Sequence, residues 1–416
     1  MGKLAEKCRD GVLLYDGSKG VMLQQRGLSG GQSAEEWNLL EPDKVRDVYM
    51  SYIDAGSDVI QTNTFCGNGP QLSSHGLEEK LYEINYEGAK LALSCAKGRE
   101  VMVAASLGPT GLFFEPAGEM KFETAVEYFK QQLLPLKEAG IGIVNFETFT
   151  DLSEMRAGVV AAQELGGFEI VANMTYENGY TMSGNTPDVC AAVLSALGAT
   201  LVGANCSGGP ESLLGPVKAM GEIAPMLCVK PNAGLPEMED GVAVFRQKPQ
   251  DFAQMAQGFI DCGVRLLGGC CGSSEKHIAA LRKAIDEASI PTVREEKPQR
   301  LASAYMSLVW NKDTRIAEMD ICTDAVVSGI RGGDYYCLMD AIPADEAEAD
   351  VVALDFRSMD FDFDMWSFVS TLSMFVKKPV IVKAENEELI TAFLRCYAGR
   401  AGVADQQAAG YGALLV

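Results

Sequence analysis

Residues 264–288 read VRLLGGCCGSSEKHIAALRKAIDEA. The apolar run VRLL ends in two glycines and two adjacent cysteines, and a serine pair then precedes apolar residues at helical spacing. Serine is a preferred N-cap residue because its hydroxyl accepts a hydrogen bond from the first helical turn. The stretch therefore predicts a β-strand and then an α-helix that begins after Ser273 or Ser274.

The same strand and helix pattern occurs eight times before residue 290. Each apolar run is short and rich in Val, Ile and Leu, which is typical of strands covered on both faces of a parallel sheet. The runs are GVLLYDG (11–17), DVIQTNTF (58–65), VMVAASLGP (101–109), IGIVNFETF (141–149), EIVANMTYE (169–177), ATLVGANCSG (199–208), MLCVKPNAG (226–234) and VRLLGGCCG (264–272). Eight such units predict an α/β chain whose residues 1–290 form a (β/α)8 TIM barrel. A doubly wound open sheet is the alternative, but no G-x-G-x-x-G follows the first strand.

The rest of the chain predicts a smaller α/β domain. Residues 291–300, PTVREEKPQR, are polar and charged and indicate a linker. Residues 301–416 alternate again between helical segments and short apolar runs, with a helix expected over 333–349 and a strand over 349–356. This segment is too short to close a second barrel, which needs about 250 residues. We expect residues 301–416 to serve in docking or oligomerisation, including assembly into a homo-oligomer.

Composition excludes several classes of function. The 416 residues hold 35 Lys+Arg against 57 Asp+Glu, a net charge of −22, which argues against binding to nucleic acid or anionic lipid. Two histidines cannot build a three-histidine metal site. Twelve cysteines in this length are too few for a disulfide scaffold, and neither a signal peptide nor an apolar run long enough to span a membrane is evident. We therefore expect a cytoplasmic protein.

Three cysteines stand out by position. Cys206 ends the sixth apolar run, and Cys270 and Cys271 end the eighth, where a barrel places its active site. Three thiolates with an open fourth position are typical of catalytic zinc. Adjacent strand residues point to opposite faces, so the pair shares one metal only where the strand breaks, and the flanking glycines allow that break. A vicinal cysteine pair alone is more often buried packing or a redox pair, but the third cysteine and the glycines favour a metal.

Residues 11–288 resemble the homocysteine-binding domain shared by cobalamin-dependent methionine synthase, betaine–homocysteine methyltransferase and S-methylmethionine-type homocysteine methyltransferases. The matching pieces occur in family order: YDGSKGVMLQ, IQTNTF, EINYEGAKLA, SLGPTG, NFETFTDLSE, TMSGNTP, GANCSGGPE, KPNAGLP and GGCCGSSEKHI. The DGSKG segment departs from the commoner DGAMG. Residues 301–416 faintly resemble the opening of the pterin-binding barrel that follows in methionine synthase.

The resemblance implies a zinc-activated methyl transfer to the thiol of homocysteine, which yields methionine. It places the zinc and the catalytic role on Cys206, Cys270 and Cys271. It places the substrate's ammonium group on Asp16 and Glu147, its carboxylate on main-chain groups around Thr64 and Phe65, and Asn232 beside the metal. Without the resemblance, Asp16 and Glu147 would be equally well explained by salt bridges at the barrel mouth, and Asn232 by a turn.

The sequence indicates the methyl donor less closely than the acceptor or the metal ligands. Apart from Phe65, the stretch after the second strand, NTFCGN, lacks the aromatic residues that suit a quaternary ammonium donor. This favours methylcobalamin presented by a separate corrinoid protein. Three alternatives stay open: S-methylmethionine as the donor, another thiol as the acceptor, and a zinc or thiol sensor built on the same barrel.

Overall fold

The computed structural model describes residues 2–239, 242–293, 297–357, 359, 362–404 and 410–416. Its first ten strands are β1 (Leu13–Leu14), β2 (Val59–Gln61), β3 (Met102–Leu107), β4 (Ile143–Phe149), β5 (Glu169–Met174), β6 (Leu201–Cys206), β7 (Leu227–Pro231), β8 (Pro236–Glu239), β9 (Val242–Phe245) and β10 (Val264–Leu267). All except the β8–β9 hairpin form one parallel eight-stranded sheet in the order β1-β10-β7-β6-β5-β4-β3-β2. A parallel bridge between Tyr15 and Val59 joins β1 to β2. The sheet is thereby closed, and the predicted (β/α)8 barrel is confirmed.

Helices separate the strands and surround the barrel. They are α1 (Lys3–Asp10), α2 (Lys19–Gln24), α3 (Trp37–Leu40), α4 (Pro42–Asp54), α5 (Gly69–Ser73), α6 (Leu81–Ala96), α7 (Phe122–Glu138), α8 (Leu152–Leu165), α9 (Pro187–Ala196), α10 (Pro210–Gly221), α11 (Pro249–Ala253), α12 (Ala256–Asp261) and α13 (Glu275–Asp286). As the sequence predicts, α13 begins after Ser274, which forms a capping box with His277. Among the described helices, none combines the length and apolarity needed to cross a membrane.

The strands are apolar because each is covered on both faces. Inside the barrel, a cluster that includes Tyr15, Met102, Val171 and Leu266 fills the lower part of the channel. A much larger cluster lies between the outer faces of the strands and the helices. All six residues of β3 are buried, for example. A filled lower channel leaves the mouth of the barrel, at the carboxyl ends of the strands, as the place for a site.

The C-terminal part is a smaller parallel sheet with its own helices. A hairpin of β11 (Arg300–Ala302) and β12 (Ser307–Val309) precedes five parallel strands that lie side by side in chain order: β13 (Ile316–Asp320), β14 (Val351–Asp355), β15 (Val380–Lys383), β16 (Gly402–Val403) and β17 (Leu414–Leu415). The helices are α14 (Asp324–Arg331), α15 (Met365–Phe375) and α16 (Glu387–Cys396). Sequential order is also the order of strands in a barrel wall. The predicted smaller α/β part is thus present.

The structure corrects three local predictions in this part. The helix predicted over 333–349 consists of two short 3-10 segments, Tyr335–Ala341 and Glu346–Glu348, because Pro343 interrupts it and its apolar residues lack helical spacing. The strand β13 and the helix α14 were not predicted. The predicted linker ends in β11, which begins at Arg300, and its residues 294–296 lie outside the described part of the chain.

Arg156 joins the two parts. It lies on α8, is 1% exposed, and donates hydrogen bonds to the carbonyl oxygens of Leu394 (2.8 Å) and Gly399 (3.3 Å). Burial lowers the pKa of this guanidinium to about 10, so it remains charged at neutral pH. Nearby, the ring of Trp366 on α15 lies 5.1 Å from that of Phe114 in the barrel. The core therefore runs without interruption from the barrel into the second sheet.

We expect the Arg156→Ala variant to be less stable than the wild type by about 2–4 kcal/mol, because it leaves a cavity and removes a donor from buried carbonyl groups. Urea unfolding followed by circular dichroism measures the change. Arg46→Met, which removes a half-exposed arginine paired with Asp43, is the control and should unfold at the wild-type urea concentration. An unchanged midpoint for Arg156→Ala would contradict this account of the junction.

Candidate active site

Three sulfur atoms meet at the mouth of the barrel. Cys206 is the last residue of β6, and Cys270 and Cys271 follow β10, with β7 between the two strands. The three Sγ atoms lie within 4.8 Å of one another, and all three residues are partly buried. In the described part of the chain, this is the one cluster of His, Cys, Asp or Glu placed to hold a metal. The geometry thus brings together the three cysteines that the sequence singled out.

Unusual backbone conformations produce this convergence. Cys206 and Ser207 have φ angles of 60° and 63°, in the left-handed region that non-glycine residues rarely adopt. Gly272 has a φ of 77°, and a Cβ atom there would lie 2.2 Å from the Phe245 ring. The chain therefore turns sharply at both strand ends, and at the second one this turn requires glycine.

Two asparagine side chains hold the sulfur atoms. Asn232 donates to the sulfur of Cys206 (3.6 Å), while its Oδ1 accepts from the backbone N–H of Cys271 (3.0 Å). Asn205 donates to the sulfur of Cys270 (3.6 Å) and is itself fixed by two hydrogen bonds with Thr148. Asn232 therefore lies beside the cluster, where the resemblance placed it. The matching contact of Asn205 was not predicted.

The protonation of the cluster is strongly uneven. Hydrogen bonds from the thiols of Cys270 and Cys271 lower the pKa of Cys206 to about 3. The pKa of Cys271 is raised, mainly by the contact with Cys206 and next by the contact with Cys270, which favours the protonated form of Cys271. Without a cation, the cluster thus favours a single thiolate stabilised by two thiols.

The donor set fits zinc. Sulfur ligands at a Zn–S distance of about 2.3 Å in a tetrahedron lie about 3.8 Å apart, which three atoms within 4.8 Å reach by small rotations. Three protein thiolates leave the fourth tetrahedral position for a substrate. Zinc binding by these residues stays a prediction.

A cavity of about 440 Å³ opens beside the sulfur atoms. Its lining includes the three cysteines and the loop after β2. The lining residues are Gly17, Ser18, Lys19, Gly20, Gln32, Ser33, Ala34, Glu35, Gln61, Thr62, Asn63, Thr64, Phe65, Cys66, His75, Ser106, Glu147, Thr148, Cys206, Lys230, Gly269, Cys270 and Cys271. Phe65 is the one Phe, Tyr or Trp among them.

Thr64 and Phe65 belong to this lining, and each carries a backbone N–H group. Among the described residues, none accepts a hydrogen bond from either group, although the neighbouring N–H groups of Asn63 and Cys66 are paired with Tyr49 and Glu35. Unpaired backbone donors at a cavity wall are suited to a carboxylate. Binding of the substrate's carboxylate by this pair stays a prediction.

Both predicted ammonium-binding carboxylates are already paired with lysines. Asp16 is fully buried, and its Oδ2 lies 2.9 Å from the Nζ atom of Lys19. Glu147 is also buried, and its Oε2 lies 2.6 Å from the Nζ atom of Lys230. Burial alone lowers the pKa of Lys230, but the charges of Glu147 and Asp16 outweigh it and raise that pKa above its usual value.

Sequence reasoning missed these two lysines. For Lys19 a signal was present, since it is one of the two residues, with Ser18, at which DGSKG departs from the commoner DGAMG. For Lys230 no signal was available, because its partner Glu147 is distant in sequence and is brought near by the closed barrel.

Burial explains the state of Cys66, and helix capping explains the position of His277. Burial raises the pKa of the Cys66 thiol to about 12, so this cysteine at the cavity wall is a protonated thiol. His277 caps α13, and its Nε2 lies 3.0 Å from the carbonyl oxygen of Gln247. His75 lines the cavity.

Comparison with known proteins identifies the family of this chain. The family model described as homocysteine S-methyltransferase matches residues 13–285. Methionine synthase of Mycobacterium tuberculosis is 25% identical over 421 residues, which cover 94% of this chain and 35% of that protein. Methionine synthase of Mycobacterium leprae is 27% identical over 311 residues, covering 70% of this chain and 26% of that protein. The chain thus spans about a third or less of these relatives.

Solved structures show the same fold. The homocysteine methyltransferase MmuM from Escherichia coli in its metallated form superposes with a TM-score of 0.57 at 21% identity, over 65% of this chain and 96% of that one. Its oxidized form gives a TM-score of 0.59 at 20% identity, over 68% and 99%. Since the family model covers well over half of the residues, the chain belongs to the homocysteine S-methyltransferase family.

Proposed function

We propose that this protein transfers a methyl group to the thiol of homocysteine, giving methionine, at a zinc ion held by Cys206, Cys270 and Cys271. The observation that carries the proposal is the convergence of the three sulfur atoms within 4.8 Å beside a cavity that also offers two unpaired N–H groups. Membership of the family and the two methionine synthase relatives support it.

The zinc ion would supply the activation of the acceptor thiol, which is mostly protonated at neutral pH because a free thiol has a pKa of about 8.5. A thiol that binds a metal loses its proton. Held by Cys206, Cys270 and Cys271, the zinc site would carry an excess of negative charge, which would keep the acceptor sulfur nucleophilic.

The chain's own residues position the acceptor. The N–H groups of Thr64 and Phe65 bind its carboxylate at one side of the cavity, and its sulfur lies toward the cysteines at the other. Asn232 fixes the sulfur of Cys206 and the backbone of Cys271 together, so that both keep their positions when an acceptor arrives. No histidine in the described site is needed as a base.

We propose methylcobalamin on a separate corrinoid protein as the methyl donor. A sulfonium or quaternary ammonium donor favours several aromatic rings around its charge, and the described cavity wall offers Phe65 alone. Such a donor would supply the methyl carbon to the acceptor sulfur and keep the electron pair of the broken carbon–cobalt bond on cobalt, while the thiol proton would pass to solvent.

The metal can be tested directly. We expect about one zinc ion per wild-type chain and a Cys271→Ser variant that loses most of its zinc and its methyl transfer, because a hydroxyl is a far weaker zinc ligand than a thiolate. Elemental analysis after dialysis measures the zinc. Cys262→Ser is the matched control, since Cys262 is partly buried near the opposite end of the barrel and should keep both properties. Undiminished methyl transfer by Cys271→Ser would refute the role of that sulfur.

The methyl donor can be tested separately. With homocysteine as the acceptor, we expect methionine to form from methylcobalamin and not from S-methylmethionine, as quantified by mass spectrometry. Methionine from S-methylmethionine alone would instead place this chain with the other branch of the family. Tight binding of zinc and homocysteine without methionine from either donor would favour a sensor and contradict the enzyme assignment.

A further inference from the structure

We propose that Asn205 is a positioning residue whose amide hydrogen bond protects the sulfur of Cys270 from methylation, so that the methyl group goes to the acceptor thiol. A site of three protein thiolates that binds a fourth, substrate thiolate holds four similar nucleophiles, and only the substrate's sulfur should react. The inference rests on the proposed function, because it concerns the sulfur atoms that would hold the zinc ion.

A backbone group fixes the orientation of the Asn205 amide. Its Oδ1 accepts from the backbone N–H of Thr148 (2.7 Å), which can only donate. The Nδ2 atom therefore faces the other way, where it donates to the hydroxyl of Thr148 (2.8 Å) and to the sulfur of Cys270 (3.6 Å). Since Nδ2 carries two hydrogens, both are used, and this fully buried side chain keeps no unpaired polar atom.

The backbone on both sides of this amide is also held. Thr148, near the end of β4, has a φ of 67°, and Cys206, which follows Asn205, has a φ of 60°. Both values lie in the left-handed region that non-glycine residues rarely adopt. The carbonyl oxygen of Asn205 accepts from the hydroxyl of Thr175 (3.0 Å). The amide thus connects two unusual strand ends and has little freedom to leave the sulfur of Cys270.

The three sulfur atoms differ in their amide partners. Asn232 repeats the arrangement, because its Oδ1 accepts from the backbone N–H of Cys271 (3.0 Å) and its Nδ2 donates to the sulfur of Cys206 (3.6 Å). Within the described ranges, no nitrogen or oxygen atom donates to the sulfur of Cys271. Two of the three sulfur atoms therefore carry an amide N–H, and the third serves as an internal reference.

A hydrogen bond to a thiolate stabilises the electron pair that would attack carbon, and this stabilisation is lost as the sulfur–carbon bond forms. In the unwanted reaction, the sulfur of Cys270 would form a bond to the methyl carbon of methylcobalamin. The carbon–cobalt bond would break with its electron pair on cobalt, and the protein would be left with S-methylcysteine, a thioether in place of a thiolate. The amide N–H slows this reaction at the sulfur that carries it.

Iodoacetamide labelling of the zinc-loaded protein tests the proposal. In each labelling step the sulfur forms a bond to the methylene carbon, and iodide leaves with the bonding electron pair. Cys270 and Cys271 lie in one peptide, whose fragment spectra assign the label to either residue, so their rates are compared within one sample. In the wild type we expect Cys271 to be labelled faster. Faster labelling of Cys270 would overturn the inference.

Two variants of Asn205 remove the N–H donor and keep the shape of the side chain. Asn205→Asp also keeps the oxygen that accepts from Thr148 but adds a charge, whereas Asn205→Leu adds none. We expect each variant to raise the rate of Cys270 relative to Cys271 at least about fivefold. With homocysteine and methylcobalamin, both variants should accumulate S-methylcysteine at position 270 and lose activity during turnover.

Asn173→Leu is the matched control. Asn173 on β5 is also fully buried and donates to a cysteine sulfur, that of Cys228 (3.6 Å), which does not belong to the cluster. We expect this variant to keep the wild-type labelling ratio. An equal rise in Asn173→Leu would attribute the effect to loosening of the barrel and contradict the assignment to Asn205.

The outcomes separate this inference from the proposed function. If zinc binds and methionine forms while the ratio is unchanged in both Asn205 variants, the inference is overturned and the proposed function stands. Variants that cannot be loaded with zinc would show a purely structural role and also overturn it. A raised ratio without methionine from any donor would refute the proposed reaction and support the protection of Cys270. A wild type that binds no zinc would overturn both.

Discussion

The site depends on one constraint, which is that sulfur atoms from two non-adjacent strands reach a common point. Pro231 on β7 sets the spacing, because it pairs in register with Cys206 on one side and accepts from the N–H of Cys270 on the other. The left-handed backbone at Cys206 costs about 1–3 kcal/mol, which surrounding contacts such as that from Asn232 offset. If the end of β6 kept an ordinary extended conformation, the sulfur of Cys206 would point away from Cys270 and Cys271 and the three sulfur atoms would not meet.

Charge divides the cavity into two unlike ends. At the cysteine end, three sulfur atoms favour a cation and an acceptor thiol. At the far end, Lys19 and Lys230 neutralise the acids that the resemblance assigned to the substrate's ammonium group. The cysteine end thus has the geometry of a cation site, whereas the assigned acids carry lysine partners, and their part in recognising the acceptor stays a prediction.

The barrel could be predicted from the sequence because eight strands that are buried on both faces appear as continuous apolar runs. The cysteines could be predicted because GGCCG and NCSGG each place metal-ligating residues beside glycines that can end a strand. Lys230 could not be predicted, because its pairing with Glu147 depends on strands that closure of the barrel brings opposite each other. Sequence reasoning missed β13, which is only five residues long and has alternating exposed and buried residues. The role of residues 301–416 in docking or oligomerisation stays a prediction.

X-ray absorption at the zinc edge tests the central claim most directly. The protein loaded with zinc should show three sulfur neighbours at about 2.3 Å together with a lighter oxygen or nitrogen ligand, and addition of homocysteine should raise the sulfur count to four. A count that stays at three after saturation with homocysteine would show that the acceptor sulfur does not enter the metal site. A count below three in the loaded protein would contradict the convergence of Cys206 with Cys270 and Cys271 on one ion.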